Sequence, residues 1–124
     1  MNSVLTVREA LEQSSNLVGS NVWIRGVLVI TSSHCHLSPS RALRNALSES
    51  IAINPKIRKI LDEKTGGSWF LVGGDSFYLC ESELHGVLAE VTSESYRVAF
   101  ENIDAIVLVD RERGRRAEVA IEAI

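Results

Sequence analysis

The chain has 124 residues, 45 % of them hydrophobic and 23 % charged, with a formal net charge of −3 and two cysteines. That length suits one domain with a core that needs no disulfide staples, and the longest apolar runs, Val27 to Ile30 and Ala105 to Val109, are far too short to cross a bilayer as a helix. Cys35 and Cys80 lie far apart and the start lacks the basic-then-apolar layout of a leader, so the expectation is a cytoplasmic protein with free thiols.

Helix signals come first. Thr6 with Glu9 three residues on predicts a capping box. Val7, Ala10 and Leu11 then follow at helical spacing, and the helix should end near residues 14–16 before a turn at Gly19-Ser20. A strand over Val22 to Ile30 follows. The two-residue period puts Val22, Ile24, Gly26, Leu28 and Ile30 on a core face, opposite Trp23, Arg25, Val27 and Val29. That second face is partly apolar, so something should cover it.

Thr31 to Ser40 is polar and reads as a loop, Arg41 to Leu47 as a helical turn, and Ser50 to Ile53 as a short strand. Asn54 as N-cap and Pro55 at the first helical position predict a second helix. Ile57, Ile60 and Leu61 form its buried stripe, and Gly66 or Gly67 ends it. The remainder reads as β. The expected strands are Ser68 to Val72, Ser76 to Cys80, Leu84 to Val91, Tyr96 to Phe100 and Ile103 to Val109, with turns at Gly73-Gly74-Asp75 and Thr92 to Ser95. The tail from Asp110 to Ile124 is compatible with a helix docking Val119, Ile121 and Ile124, with a strand, or with a frayed end.

Two phrases share one design: Trp23-Ile24-Arg25-Gly26-Val27-Leu28-Val29 and Glu83-Leu84-His85-Gly86-Val87-Leu88-Ala89. Glycine inside a strand marks a bend, a bulge or a close backbone approach. Two kinked strands with a helix between them resemble the OB-fold, over roughly Leu17 to Val109. The resemblance implies an α+β domain: a curled, five- to six-stranded, mainly antiparallel OB-like barrel with an N-terminal helix and a helix near residues 55–65. It also implies binding of single-stranded nucleic acid, oligosaccharide or protein, without choosing among them.

Charge bears on that choice. Eight acids and one base, Arg97, lie between Asp75 and Asp110, a net −7, and the rest of the chain carries +4. An acidic second half disfavours a phosphate backbone there and suits a basic protein partner. The expected partner surface comprises Asp75, Glu81, Glu83, Glu90 and Glu94 with Trp69 and Tyr78. Glu81 and Glu83, two apart, share a face if one strand runs through them.

Catalytic signals are thin. His34-Cys35-His36 carries soft metal ligands, but a site would need more from Cys80, His85 or a carboxylate, and no second motif with ligand spacing exists. No Gly-x-Ser-x-Gly occurs, and Gly73-Gly74-Asp75 lacks the Gly-Lys-Ser/Thr of a phosphate loop. The expectation is a domain with no catalytic residue, no metal, no cofactor and no membrane, binding a protein with a basic surface. Its most concrete form is an immunity protein that masks a basic nuclease toxin. One alternative is a nucleic-acid-binding OB module using Arg25, Arg41, Arg44, Arg58, Lys59 and the run Arg111 to Arg116. A second is a metal-dependent enzyme at His34 and His36.

Overall fold

A computed structural model describes residues 4–91, 93 and 95–122. Its first short strand, β1 (Val4–Thr6), runs straight into helix α1 (Val7–Glu12). Thr6 closes the capping box that its sequence announces: its hydroxyl accepts the Glu9 N–H at 3.2 Å, and the Glu9 carboxylate accepts the Thr6 N–H at 3.0 Å. Those bonds hold the Glu9 carboxyl below its ordinary range. The helix ends sooner than its spacing predicts, and a second short helix, α2 (Ser14–Leu17), fills the remainder.

Strand β2 (Asn21–Thr31) is the spine of a mixed, mainly antiparallel sheet. β3 (Cys35–Ser38) turns back along it, followed by a 3-10 turn at Leu47–Glu49 and the short β4 (Ile51–Ala52). Helix α3 (Ile57–Thr65) leads to three further strands: β5 (Ser76–Glu90), β6 (Val98–Asp110) and β7 (Arg115–Ala120). The strand order is β1-β2-β3-β4-β6-β5; β7 pairs with β6, and β2 also pairs with β5 along its whole length. β1–β2 and β4–β6 are the parallel pairs.

Both glycines of the repeated phrase are placed by close approach. A Cβ on Gly26 would lie 2.6 Å from the Ser38 carbonyl oxygen and 2.8 Å from a Val7 methyl, so the spot is filled by α1 and β3. A Cβ on Gly86 would lie 1.9 Å from the Asn102 carbonyl oxygen, at a point where the β5–β6 register slips between His85 and Gly86. Such slips are β-bulges, which bend a strand and sharpen its twist. The core then gathers Leu28, Leu37, Ile51, Ile57, Leu61, Leu84, Leu88, Ile106 and Leu108, all essentially inaccessible. Each such side chain contributes roughly 1.5–3 kcal/mol by leaving water.

Several elements differ from their expected form. Thr31 to Ser40 is not all loop. Cys35 and Leu37 face the core and His36 and Ser38 the other side, so β3 carries alternation that its polar residues mask. Those polar groups are buried, with His36 and Ser38 bonded to the Arg44 and Ser40 carbonyls of the following segment, 39–50, and Val27 and Val29, the outward valines of β2, are buried as well. Ser68 to Val72 is not a strand: after Gly66 ends α3 with φ 65°, the chain turns, and the Leu71 N–H donates to the Phe77 carbonyl.

Residues 76–90 form one strand rather than two, because Glu81-Ser82-Glu83 continues the alternation with charges outward and Ser82 inward. The Ser82 hydroxyl satisfies itself on the Cys80 carbonyl at 3.2 Å. Residues 98–110 are likewise one strand. Helix α3 begins at Ile57, because Asn54 caps a preliminary turn, accepting the Lys56 N–H at 3.1 Å. Of the three options for the tail, the strand is realised, with Val119 and Ile121 buried. Ile124, Thr92 and Glu94 lie outside the described residues.

Candidate functional site

The β6–β7 hairpin is built by one carboxylate. Asp110 and Arg115 are cross-strand partners; Asp110 accepts the Arg113 N–H at 3.2 Å and an Arg115 Nη at 3.3 Å. Burial pushes the Asp110 carboxyl up, but these bonds and the two guanidinium charges outweigh it, and the net shift is downward. Arg115 is pinned from three sides. Its other Nη donates to the Ser68 carbonyl at 3.1 Å, and its guanidinium lies 4.4 Å over the Trp69 ring. Its Nε is buried with no partner among the described residues. An orphaned charged donor is costly unless something accepts from it.

Arg115 forms one wall of a cleft of about 370 Å³. Arg111 and Arg113, from the same hairpin, form its rim, and Arg41 enters from the segment over β2 and β3. Arg41 donates to the Leu79 carbonyl at 3.3 Å, which fixes it against the start of β5. Arg111 donates to Glu81 at 2.6 Å, an exposed pair. Glu81, Asp110, Glu112, Trp69 and the apolar Leu71, Leu79 and Val109 also line it. The cleft thus sets four guanidinium groups, each a planar fork suited to phosphate or carboxylate, against three carboxylates. Cys80 also lines it, and burial pushes its thiol up, away from thiolate reactivity.

The segment carrying Arg41 is clasped by His36. The His36 Nε2 lies 2.6 Å from the Arg44 carbonyl, which can only accept, so Nε2 carries the proton. Nδ1 then accepts from the Tyr96 hydroxyl at 2.8 Å. Burial lowers the His36 pKa from its ordinary 6.5, a shift that the Arg44 carbonyl opposes and His34 reinforces. Cys35 beneath it is pushed up to about 12 by burial.

The expected partner surface is not brought together. Asp75 sits in the bend before β5 and Glu90 at its far end, so roughly 45 Å of strand separates them at ~3.3 Å per residue. Glu81 and Glu83 do share an outward face, but Glu81 is engaged by Arg111, and Glu83 stands across from Arg25 in register. Glu94 lies outside the described residues. Tyr78 is wholly buried, with its hydroxyl donating to Asp62 at 2.5 Å, and Trp69 is only 8 % exposed. Both rings therefore leave the surface set, because parity turns Tyr78 inward and Arg115 covers Trp69.

Nor do all the basic residues meet. Arg25 is exposed on the outer sheet face, Lys59 is exposed on α3, and Arg44 donates to the Arg41 carbonyl. The Arg58 guanidinium lies 3.9 Å over Phe77 and 5.2 Å over Phe70. His34 is exposed and His36 buried, with ring centroids 6.3 Å apart, and no group of three or more His, Cys, Asp or Glu able to hold a metal gathers among the described residues. Sequence spacing offers no signal for the meeting of Arg41 with the hairpin arginines. It depends on the segment 39–50 crossing the sheet and on the tail being a strand.

Comparison with protein-family models, curated proteins and solved structures yields no match to this chain.

Proposed function

We propose that this chain is a non-catalytic binding domain with an OB-like barrel, and that it holds single-stranded nucleic acid at the arginine-lined cleft. The barrel reading draws support from the pairings. β2–β3, β3–β4, β4–β6, β6–β5 and β5–β2 follow one another back to the starting strand, with a helix between β4 and β5. A sheet that curls on itself needs strong local bending, and the two close-packed glycines and the bulges of β5 supply it.

One observation carries the function. Arg41 and the hairpin arginines Arg111, Arg113 and Arg115, some seventy residues apart in sequence, line a single cleft. Glu81 and Asp110 in the same cleft pair with Arg111 and Arg115, but Arg41 and Arg113 have no carboxylate partner among the described residues, and an added anion relieves their repulsion. This favours the nucleic-acid reading over a basic protein partner, since the acids meant for that partner are dispersed along β5 or engaged by bases. The test is fluorescence anisotropy with a labelled oligodeoxythymidylate at low salt. Arg41→Ala with Arg113→Ala should weaken binding about tenfold or more while leaving the melting temperature unchanged. No binding by the wild-type protein would sink the reading.

A further inference from the structure

We propose that the cleft receives the terminal phosphomonoester of a single strand, rather than a stretch of its phosphodiester backbone. This rests on the nucleic-acid reading above and narrows it to a chain end. Three observations carry it.

The first is the shape of the basic surface. A protein that tracks a strand needs a groove of positive charge spanning several nucleotides. Here the charge is gathered at one cleft of about 370 Å³. None of the other basic residues named above lines it: Arg58 lies over two phenylalanine rings, Arg44 bonds the backbone of its own segment, Arg25 stands across from Glu83, Arg116 pairs with Glu118, and Lys59 is on α3.

The second is donor density. Arg113 has no side-chain acceptor among the described residues and Arg41 gives only one Nη, to a backbone carbonyl, whereas Arg115 gives one Nη to the Ser68 carbonyl and the other to Asp110. The open donors of Arg41 and Arg113 suit the three free oxygens of a monoester. A diester offers two such oxygens, and its substituents on both sides must leave the cleft.

The third is Glu81. Its carboxylate already occupies Arg111 at 2.6 Å, so the cleft contains its own singly charged competitor. An entering diester, with one negative charge, exchanges like for like. An entering monoester, with nearly two at neutral pH, outcompetes Glu81. Glu81 is therefore a selectivity residue, biasing the cleft toward the doubly charged end group. Glu112 also lines the cleft but has no ion pair among the described residues, and it provides the control for bulk charge.

The experiment compares one oligodeoxythymidylate carrying a 5′-phosphate, a 3′-phosphate or two hydroxyl ends, with the wild-type chain at about pH 7.5, where the monoester is dianionic. One phosphorylated form should bind about tenfold tighter than the hydroxyl-ended strand, as expected for one extra charge in a partly desolvated site. Glu81→Gln should tighten the hydroxyl-ended strand more than the phosphorylated one, shrinking the ratio, and Glu112→Gln should leave the ratio unchanged. Equal affinity for all three strands would overturn the inference while leaving the nucleic-acid reading in place. Equal shrinkage of the ratio by both glutamine variants would remove Glu81 from its role. Inorganic phosphate displacing the phosphorylated strand at the strand's own concentration would mean that the site takes free phosphate only, and would overturn the strand end as ligand. Failure of every oligonucleotide to bind would refute the broader reading as well.

Discussion

His36 is a buried imidazole whose two nitrogens are each satisfied by one partner, Arg44 and Tyr96, in the neutral state. Burial lowers its folded pKa below the ordinary 6.5, so the unfolded chain binds its proton more readily. Stability from this group is complete above the unfolded pKa and is lost as pH falls through it toward the folded value. Urea unfolding of wild type and His36→Gln should therefore diverge less at about pH 5.5 than at about pH 7.5. A gap that is constant with pH would contradict this. Tyr78 and Asp62 make a second residue-scale test. Asp62→Ala strands a buried hydroxyl and should cost about 1–3 kcal/mol, whereas Tyr78→Phe removes the hydroxyl and returns Asp62 to partial solvation, costing about 0.5–1.5 kcal/mol. Unfolding midpoints at constant m-value check the order.

At the scale of elements, glycine separates two kinds of constraint. Gly86→Ala puts a methyl on the Asn102 carbonyl, and no side chain can yield there, so the bulge itself must move. The expected loss is about 3 kcal/mol or more. Gly66→Ala meets no atom within 4 Å, and only its φ of 65° is unfavourable, for about 1 kcal/mol. Thermal denaturation of both variants gives the comparison, and equal costs would show that close approach at Gly86 is not what bends β5.

The repeated glycine phrase is readable because glycine inside a strand pattern signals a close approach by itself, whichever element supplies the approaching atoms. So is the Thr6–Glu9 box, since capping involves residues three apart. The unbroken β5 is not, because Glu81-Ser82-Glu83 has no apolar residue to carry the strand pattern across, and pairing with β2 and β6 on either side is what keeps it extended. β3 is hidden in the same way: polar residues such as His36 and Ser38 read as loop although contacts outside the strand bury them.

For the whole molecule, the relevant contrast is between a net charge of −3 and one arginine-lined cleft. A strand held at its end displaces few counterions, so the slope of log affinity against log salt should be shallow. About −1.4 is expected for the two charges of one terminal phosphomonoester, at ~0.7 per neutralised charge on single strands. A slope twice as steep would indicate an extended track. In the sequence the cleft's arginines are mixed with the other basic residues; only the placing of the 39–50 segment and the β6–β7 pairing sort them. The expected acidic face failed to assemble for the same reason, since a strand fifteen residues long distributes what a sequence window groups together.

That long strand has one more consequence. β2 pairs along its length with β5, whose last residue is Glu90. During synthesis, the apolar run Val27 to Ile30 is made some sixty residues before its main partner is complete. At ribosomal speeds, that is an interval of roughly 3–12 s. Until then the first third of the nascent chain has β1, α1 and β3 beside it but lacks its longest strand partner. A chain stalled before Glu90 should be a chaperone client and a seed for aggregation, and one released after Asp110 should not. Soluble yield of ribosome-arrested lengths on either side of those two residues would reveal the switch.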